Sequence, residues 1–377
     1  MTNLAYDFII IGAGMAGASA GYELSPFGST LLLEREDQPG YHTTGRSAAF
    51  FAESYGNATI RALTRGSRPF FESPVDGFAQ QPLTRHCGAL YIATQDQSEK
   101  LDSFFLELSD LSDSVSMVSS DVLYTKCPVL KPELYCGGVW DPSAKEIDVH
   151  TLHHGFLDGF HARGGVTRTA AGVEALTQDK GIWRVSAGGA IFETPCVINA
   201  AGAWADQIAA LANVAPLGLS PKRRTVITFD APGDIDISDW PLIIDVEEQF
   251  YFKPDSGRLL ASPADETPME PCDVQPEEID IARAAYRIEQ ATTLTVRHVV
   301  RKWAGLRSFF ADKTPTVGFD PDAPGFFWLA GQGGYGIQTA PSMGRLAAAL
   351  VTGQGVPKEL QALNIHASAL EPARLKP

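Results

Sequence analysis

The chain has 377 residues, of which 44% are hydrophobic, and a formal net charge of −15. That length is more than one ordinary core organises and implies two lobes. The acidity excludes nucleic acid or an anionic membrane as the main partner, since both reward a basic surface. Asp7 stands where a secretory leader would be basic, and the apolar run from Phe8 is broken by glycines, so neither a leader nor a membrane span is expected. Cys87, Cys127, Cys136, Cys196 and Cys272 show no C-x-x-C spacing, which fits reduced thiols and a cytoplasmic location.

The first element is the run Tyr6-Asp7-Phe8-Ile9-Ile10-Ile11, whose β-branched end reads as a buried parallel strand, leading into Gly12-Ala13-Gly14-Met15-Ala16-Gly17. In such a fingerprint Gly12 permits the tight turn, Gly14 lets the backbone approach a pyrophosphate, and Gly17 lets the following helix pack on the strand. The helix N-terminus then offers free N–H groups and a positive dipole end to the phosphates. Thr30-Leu31-Leu32-Leu33 predicts a second strand. Glu34 closes it about 20 residues after Gly14, where a carboxylate would bind a ribose diol. This pattern alone fits NAD and FAD equally.

Next comes a turn ending in Pro39-Gly40 and the small, hydroxyl-rich segment Tyr41 to Phe50, read as a donor loop leading into a helix. Arg61 to Phe71 reads as helical. Short alternating runs such as Ala89 to Ala93, with a helix near Ser98 to Leu108, begin a second lobe. Ile147 to Arg163 reads as a helix and Val166 as the start of a strand. Thr194 to Trp204 reads as an apolar strand ending in the small residues Ala200-Ala201-Gly202-Ala203, as a nucleotide-domain strand does where it meets a ligand. Lys222 to Phe229 alternates, with Arg224, Val226 and Thr228 on one face. Phe250-Tyr251-Phe252 and Arg258-Leu259-Leu260 flank the turn Pro254-Asp255-Ser256-Gly257 as a hairpin. Gly325 to Ala330 reads as a buried strand running into Gly331-Gln332-Gly333-Gly334-Tyr335-Gly336-Ile337, with a helix beyond Pro341.

Together, Gly12-x-Gly14-x-x-Gly17 with Glu34, Asn199 to Trp204, and Gly331-x-Gly333-Gly334-x-Gly336-Ile337 resemble the D-amino-acid oxidase-like flavoproteins over nearly the whole chain. Within that family, Gly40 to Ala49, Pro221 to Arg224 and Trp303 to Phe309 look most like the bacterial D-arginine and D-amino-acid dehydrogenases. The resemblance implies an α/β fold. A discontinuous Rossmann-like FAD-binding lobe (1–80, 146–216 and 310–377) would join an α+β substrate lobe on a mainly antiparallel sheet (81–145 and 217–309). Members with covalent flavin use a cysteine after the strand at Leu306-Arg307, where this chain reads Ser308 to Lys313, so FAD is expected without a covalent link.

The implied cofactor-binding residues are Gly12, Gly14, Ala16, Gly17, Glu34, Arg35, Thr43, Thr44, Gly45, Arg46, Ser47, Ala48, Val173, Ala201, Gly202, Trp204, Gly305, Gly331, Gly333, Gly334, Tyr335, Gly336, Ile337 and Gln338. Oxidation of an α-amino acid needs an anchored carboxylate, a Cα–H aimed at the flavin and stabilisation of the reduced ring. Arg224 and Arg307 match the family's carboxylate-binding pair, with Tyr251 beside them. Tyr55 matches a tyrosine on a substrate-covering loop, and Gly56 would let it move. The turn from Gly333 to Gln338 would supply backbone donors near the flavin.

Phe50, Ala89 and Gln338 are the expected substrate-pocket residues. The nearest branch has a histidine where Phe50 stands and an acid where Ala89 stands, so an apolar or neutral side chain is expected. Ala89→Glu would then restore activity toward D-arginine. No residue stands out as general base, His42 being read as a loop-orienting residue. His150, His153 and His154 are read as a solvated helix face rather than a metal site, and no metal is expected. The expected reaction is oxidative deamination of a D-amino acid to a 2-oxo acid and ammonia. Oxidation of N-methyl or cyclic amino acids is the alternative. The electron acceptor is open among quinone, a dye-like acceptor and O2.

Overall fold

The computed structural model describes residues 4–109, 114–233 and 235–376. At its centre the strand Phe8–Ile11 lies between Thr30–Leu33 and Cys196–Asn199 in a six-stranded sheet. Val166–Arg168 extends one side and Phe326–Ala330 the other, all in parallel. Thr316–Phe319 closes the edge in the antiparallel sense. Because the strands are parallel, both faces must be covered, and period-two alternation divides their apolar residues accordingly. Ile10, Leu32, Ile198 and Phe327 join a core that includes the helices Met15–Leu24, Val149–Ala162 and Ala340–Val351. Ile9, Ile11, Leu31, Leu33, Val197 and Trp328 pack instead with Trp183, Val185 and Phe192 of a four-stranded sheet.

The second large sheet has nine strands. Ser220–Phe229 and Val299–Phe309 pair along almost their whole length, and Arg258–Ser262, Tyr251–Asp255, Leu242–Asp245, Ala89–Thr94 and Tyr135–Asp141 follow in order. Pairing is antiparallel except between Leu242–Asp245 and Ala89–Thr94. One face buries Ile227, Phe229, Phe252, Leu90 and Ile92 under the helix Glu278–Ala291, which presents Ile281, Ala284 and Ile288. The opposite face, carrying Arg224 and Val226, turns toward the six-stranded sheet across a cavity.

Three elements depart from the sequence reading. The helix expected from Ile147 begins at Val149, because Asp148 caps it by accepting from Thr151 N at 2.9 Å, while Ile147 ends the short strand Lys145–Ile147. The segment after Tyr41 runs as turns into the strand Phe50–Phe51, not into a helix. In the hairpin, Pro254 and Asp255 stay in the strand and the turn is Ser256-Gly257 alone, both at positive φ (51° and 79°), as a two-residue hairpin loop demands.

Candidate active site

Gly12 has φ +101°, and a Cβ there would lie 2.5 Å from the Ala200 carbonyl, so the crossing with the end of Cys196–Asn199 requires glycine. A Cβ on Gly17 would lie 1.8 Å from the Gly12 carbonyl, which is how closely the helix packs on the turn. Gly14 is the N-cap of Met15–Leu24 and gives no side-chain cap; Met15 N donates to Thr44 Oγ1 at 2.9 Å. The Glu34 carboxylate accepts from Ala13 N at 2.9 Å and from Glu36 N at 3.0 Å, which fixes it at the end of its strand beside the turn. From here one cavity of about 370 Å³ extends to the face of the nine-stranded sheet.

The loop 41–46 closes one side of this cavity. Thr43 Oγ1 donates to the Leu306 carbonyl at 2.7 Å, Arg46 Nη1 to the carbonyls of Val274 and Ala304, and Trp303 Nε1 to the Arg46 carbonyl, so the loop is strapped to Val299–Phe309. Arg35 stacks over Trp204, and His42 meets both that ring and Glu36. His42 is therefore held between Glu36 and Trp204. Of the three clustered histidines, His150 and His154 stack on each other, whereas His153 turns inward and contacts the Ala13 carbonyl at 2.9 Å. Burial pushes the His153 imidazole down to about 4, so it is neutral and donates to that carbonyl. Among the described residues, no group of three His, Cys, Asp or Glu side chains is placed to hold a metal.

At the other end, strand register brings the arginines together. Arg307 pairs across from Lys222 and Gly305 from Arg224, so Arg224 and Arg307 lie diagonally on one face. Tyr251 and Tyr91 are in register with Ile244, placing all three in one row of the same sheet. Arg307 Nη1 donates to the Tyr55 hydroxyl at 3.2 Å. Burial raises the Tyr55 pKa, with Arg307 pulling the other way, so the phenol keeps its proton and can donate it into the cavity. A Cβ on Gly334 would lie 2.9 Å from Arg307 Nη1, so that glycine lets the guanidinium lie flat against the loop. Arg224 is buried and more committed: Nε donates to the Asp265 carbonyl at 2.9 Å and Nη2 faces Glu266 at 3.3 Å.

The cavity wall includes all four expected catalytic residues, Arg224, Tyr251, Arg307 and Tyr55, together with Phe50 and Gln338. It also includes Gly12, Gly14, Ala16, Glu34, Arg35, Thr43, Thr44, Arg46, Ser47, Ala48, Val173, Ala201, Gly202, Trp204, Gly305, Gly333, Gly334, Gly336 and Ile337. Gly17, Gly45, Gly331 and Tyr335 stand behind it, Tyr335 packing on the Tyr55 ring. Ala89 corrects the sequence reading: it is fully buried, packs with Ala52 and Leu242, and lines no part of the cavity. An acid there would be forced into a core, so the expected gain from Ala89→Glu is withdrawn.

The wall also holds residues that the sequence reading passed over, chiefly Tyr91, Leu242, Ile244, Glu248 and Gln332. Leu242 and Ile244 alternate along an apolar run, which is a signal for one face without saying which face. Glu248, at φ +56° in the turn before Tyr251, gave no sequence signal of its direction.

A helix N-terminus whose own N-cap residue is a glycine, a carboxylate ending the next strand, and two arginines at the far end of one cavity are the layout of a dinucleotide-dependent oxidoreductase. Inside the wall, Gln332 Nε2 and Gln338 Nε2 are buried without a partner among the described residues, so the site still has donors to satisfy. These features fit FAD. The chain belongs to the FAD dependent oxidoreductase (DAO) family, whose model matches residues 7–350, and FAD is its cofactor.

It is 25% identical to the oxidoreductase YurR of Bacillus subtilis (strain 168), over 92% of this chain and 95% of that one. It is 27% identical to L-2-hydroxyglutarate dehydrogenase of Escherichia coli (strain K12), over 57% of this chain and 51% of that one. Its fold is similar to that of glycine oxidase from Geobacillus kaustophilus, with a TM-score of 0.79 and 20% identity, over 93% of this chain and 95% of that one. The relatives thus span amino-acid and hydroxy-acid oxidation rather than D-amino-acid dehydrogenases in particular.

Proposed function

We propose that this protein oxidises a D-amino acid with an apolar or neutral side chain to the imino acid, which water hydrolyses to a 2-oxo acid and ammonia. The observation that carries this reading is the pairing of Arg307 and Arg224 on one sheet face, with Tyr251 and Tyr55 in the same cavity. A substrate carboxylate bound there accepts charge-assisted hydrogen bonds from Arg307 and the Tyr55 hydroxyl, while Arg224 adds field from a guanidinium already held by Asp265 and Glu266. FAD, when bound without a covalent link, supplies the acceptor for the hydride leaving Cα.

Loss of the Cα hydride would let the nitrogen lone pair form the C=N bond, and the nitrogen proton would pass to water to give the neutral imino acid. The loop from Gln332 to Gln338 and the strap from Thr43 to Arg46 hold the cavity walls in place around the substrate. Phe50, Leu242 and Ile244 make part of the neighbouring wall apolar, which favours an apolar side chain, and Glu248 adds an acceptor for a polar one. The D configuration rests on the likeness of Gly40 to Ala49 and Trp303 to Phe309 to D-amino-acid dehydrogenases.

The relationship to L-2-hydroxyglutarate dehydrogenase supports a second reading, oxidation of a 2-hydroxy acid anchored by the same arginines. Product analysis separates the two. With D-amino acids the first reading expects ammonia and 2-oxo acid in equal amounts. Turnover of 2-hydroxy acids alone, with no ammonia from any amino acid, would overturn it. Methylamine release from N-methyl amino acids at higher efficiency than ammonia from primary ones would place the secondary-amine alternative first.

A further inference from the structure

One buried polar chain reaches the cavity without serving the carboxylate anchor. Asp141 is 1% exposed, and its Oδ1 accepts from Ser143 N at 2.9 Å and from Ser143 Oγ at 2.6 Å. Its Oδ2 accepts from Ser54 Oγ at 2.7 Å. A carboxylate can only accept, so the single Ser54 hydroxyl proton is committed to Asp141. Ser54 Oγ also meets the Tyr91 hydroxyl at 3.1 Å, and with the serine proton already used, Tyr91 is the donor in that contact. The direction of the chain is therefore fixed: Tyr91 gives to Ser54, and Ser54 gives to Asp141. Burial raises the Tyr91 pKa, which keeps the phenol protonated for this role.

Tyr91 lines the cavity in the same sheet row as Ile244 and Tyr251. With its only proton given to Ser54, the oxygen of this wall residue can only accept in any further hydrogen bond. Glu248 adds a carboxylate to the same wall. Leu242 and Ile244, on a strand that lies between those of Tyr91 and Arg224, make the intervening wall apolar, and Phe50 also lines the cavity.

We propose that Tyr91, locked as an acceptor by Ser54 and Asp141, forms a side-chain subsite that selects neutral amino acids whose side chain ends in an amide or hydroxyl donor. This rests on the amino-acid reading above and narrows it. A site built around a fixed acceptor rejects an analogue lacking the donor far more strongly than an apolar pocket rejects a changed methylene.

The test compares kcat/KM, with the holoenzyme, for three near-isosteric pairs that reach different depths: D-threonine and D-valine, D-glutamine and D-methionine, D-tyrosine and D-phenylalanine. The expected result is a preference of about tenfold or more for the donor member of at least one pair, carried mainly by KM. Tyr91→Phe should reduce that preference to within about threefold. Asp141→Asn can donate to Ser54 and release Tyr91 from its fixed direction, so it should also weaken the preference while the Tyr91 hydroxyl remains; a purely structural role for Tyr91 would not produce that result.

Equal efficiencies within all three pairs, or a preference that survives Tyr91→Phe in a folded protein, overturn the subsite. If no amino acid is turned over at all, the amino-acid reading fails and the subsite fails with it, a result distinct from turnover without preference.

Discussion

Arg307 and Arg224 share a charge and a sheet face but not a state of engagement. Arg307 is satisfied only in part by the Tyr55 hydroxyl, whereas Arg224 already holds the Asp265 carbonyl and faces Glu266. Arg307→Ala should therefore raise KM for the amino acid by about 10- to 100-fold, the loss of a charge-assisted pair, and Arg224→Ala by less. Steady-state kinetics that gave the reverse order would show that Arg224 is the principal anchor. His153 makes a separate prediction from its burial. Its folded pKa of about 4 lies below the ordinary value of 6.5, so the unfolded chain binds the extra proton first and stability falls as pH drops from 6.5 toward 4. Denaturant unfolding at about pH 5 and about pH 7 should show this acid loss shrinking by about 2 kcal/mol in His153→Gln, and an unchanged loss would exclude the imidazole as its source. Tyr91 and Ala89 mark how far residue-level reading goes. Both belong to one alternating strand and point to one face, but which of them lines the cavity depends on Ala52 and Leu242, which come from other parts of the chain. Sequence periodicity cannot decide that.

The dinucleotide turn is the element most completely written in local sequence. Phe8 to Gly17, Thr30 to Leu33 and Glu34 form the expected strand, turn, helix, strand and carboxylate, because each step is fixed by residues within a few positions of it. Gly17→Ala would put a methyl 1.8 Å from the Gly12 carbonyl, which the turn can relieve only by moving the helix N-terminus. Purified Gly17→Ala should retain wild-type far-ultraviolet circular dichroism yet lose most of its FAD, measured as flavin absorbance per chain and as affinity for added FAD by fluorescence quenching. Full FAD content with unchanged affinity would contradict the role given to this packing. Other elements were legible in kind and not in extent. The helix at Val149 starts late because a side-chain cap at Asp148 competes with one more turn. The loop 41–46 is ordered by bonds to carbonyls near residues 274 and 304 to 306, which no local pattern encodes.

At the scale of the molecule, the site exists because two sheets from interleaved parts of the chain face one cavity. The six-stranded sheet presents the ends of Phe8–Ile11 and Cys196–Asn199, and the nine-stranded sheet presents Arg224, Tyr251 and Arg307. Three glycine-bearing motifs in the right order made the family readable, whereas the substrate wall, assembled from scattered residues on six strands and the turns between elements, stayed mostly hidden. In the function proposed above, this cavity joins FAD to an amino acid bound through its carboxylate. Anaerobic mixing of the FAD-loaded protein with D-amino acids tests that claim most directly. The oxidised flavin absorbance should bleach with saturating dependence on amino-acid concentration, and the corresponding decarboxylated amines should leave it unchanged at the same concentrations. A flavin that stays oxidised with every amino acid, or that bleaches equally with the amines, would contradict it.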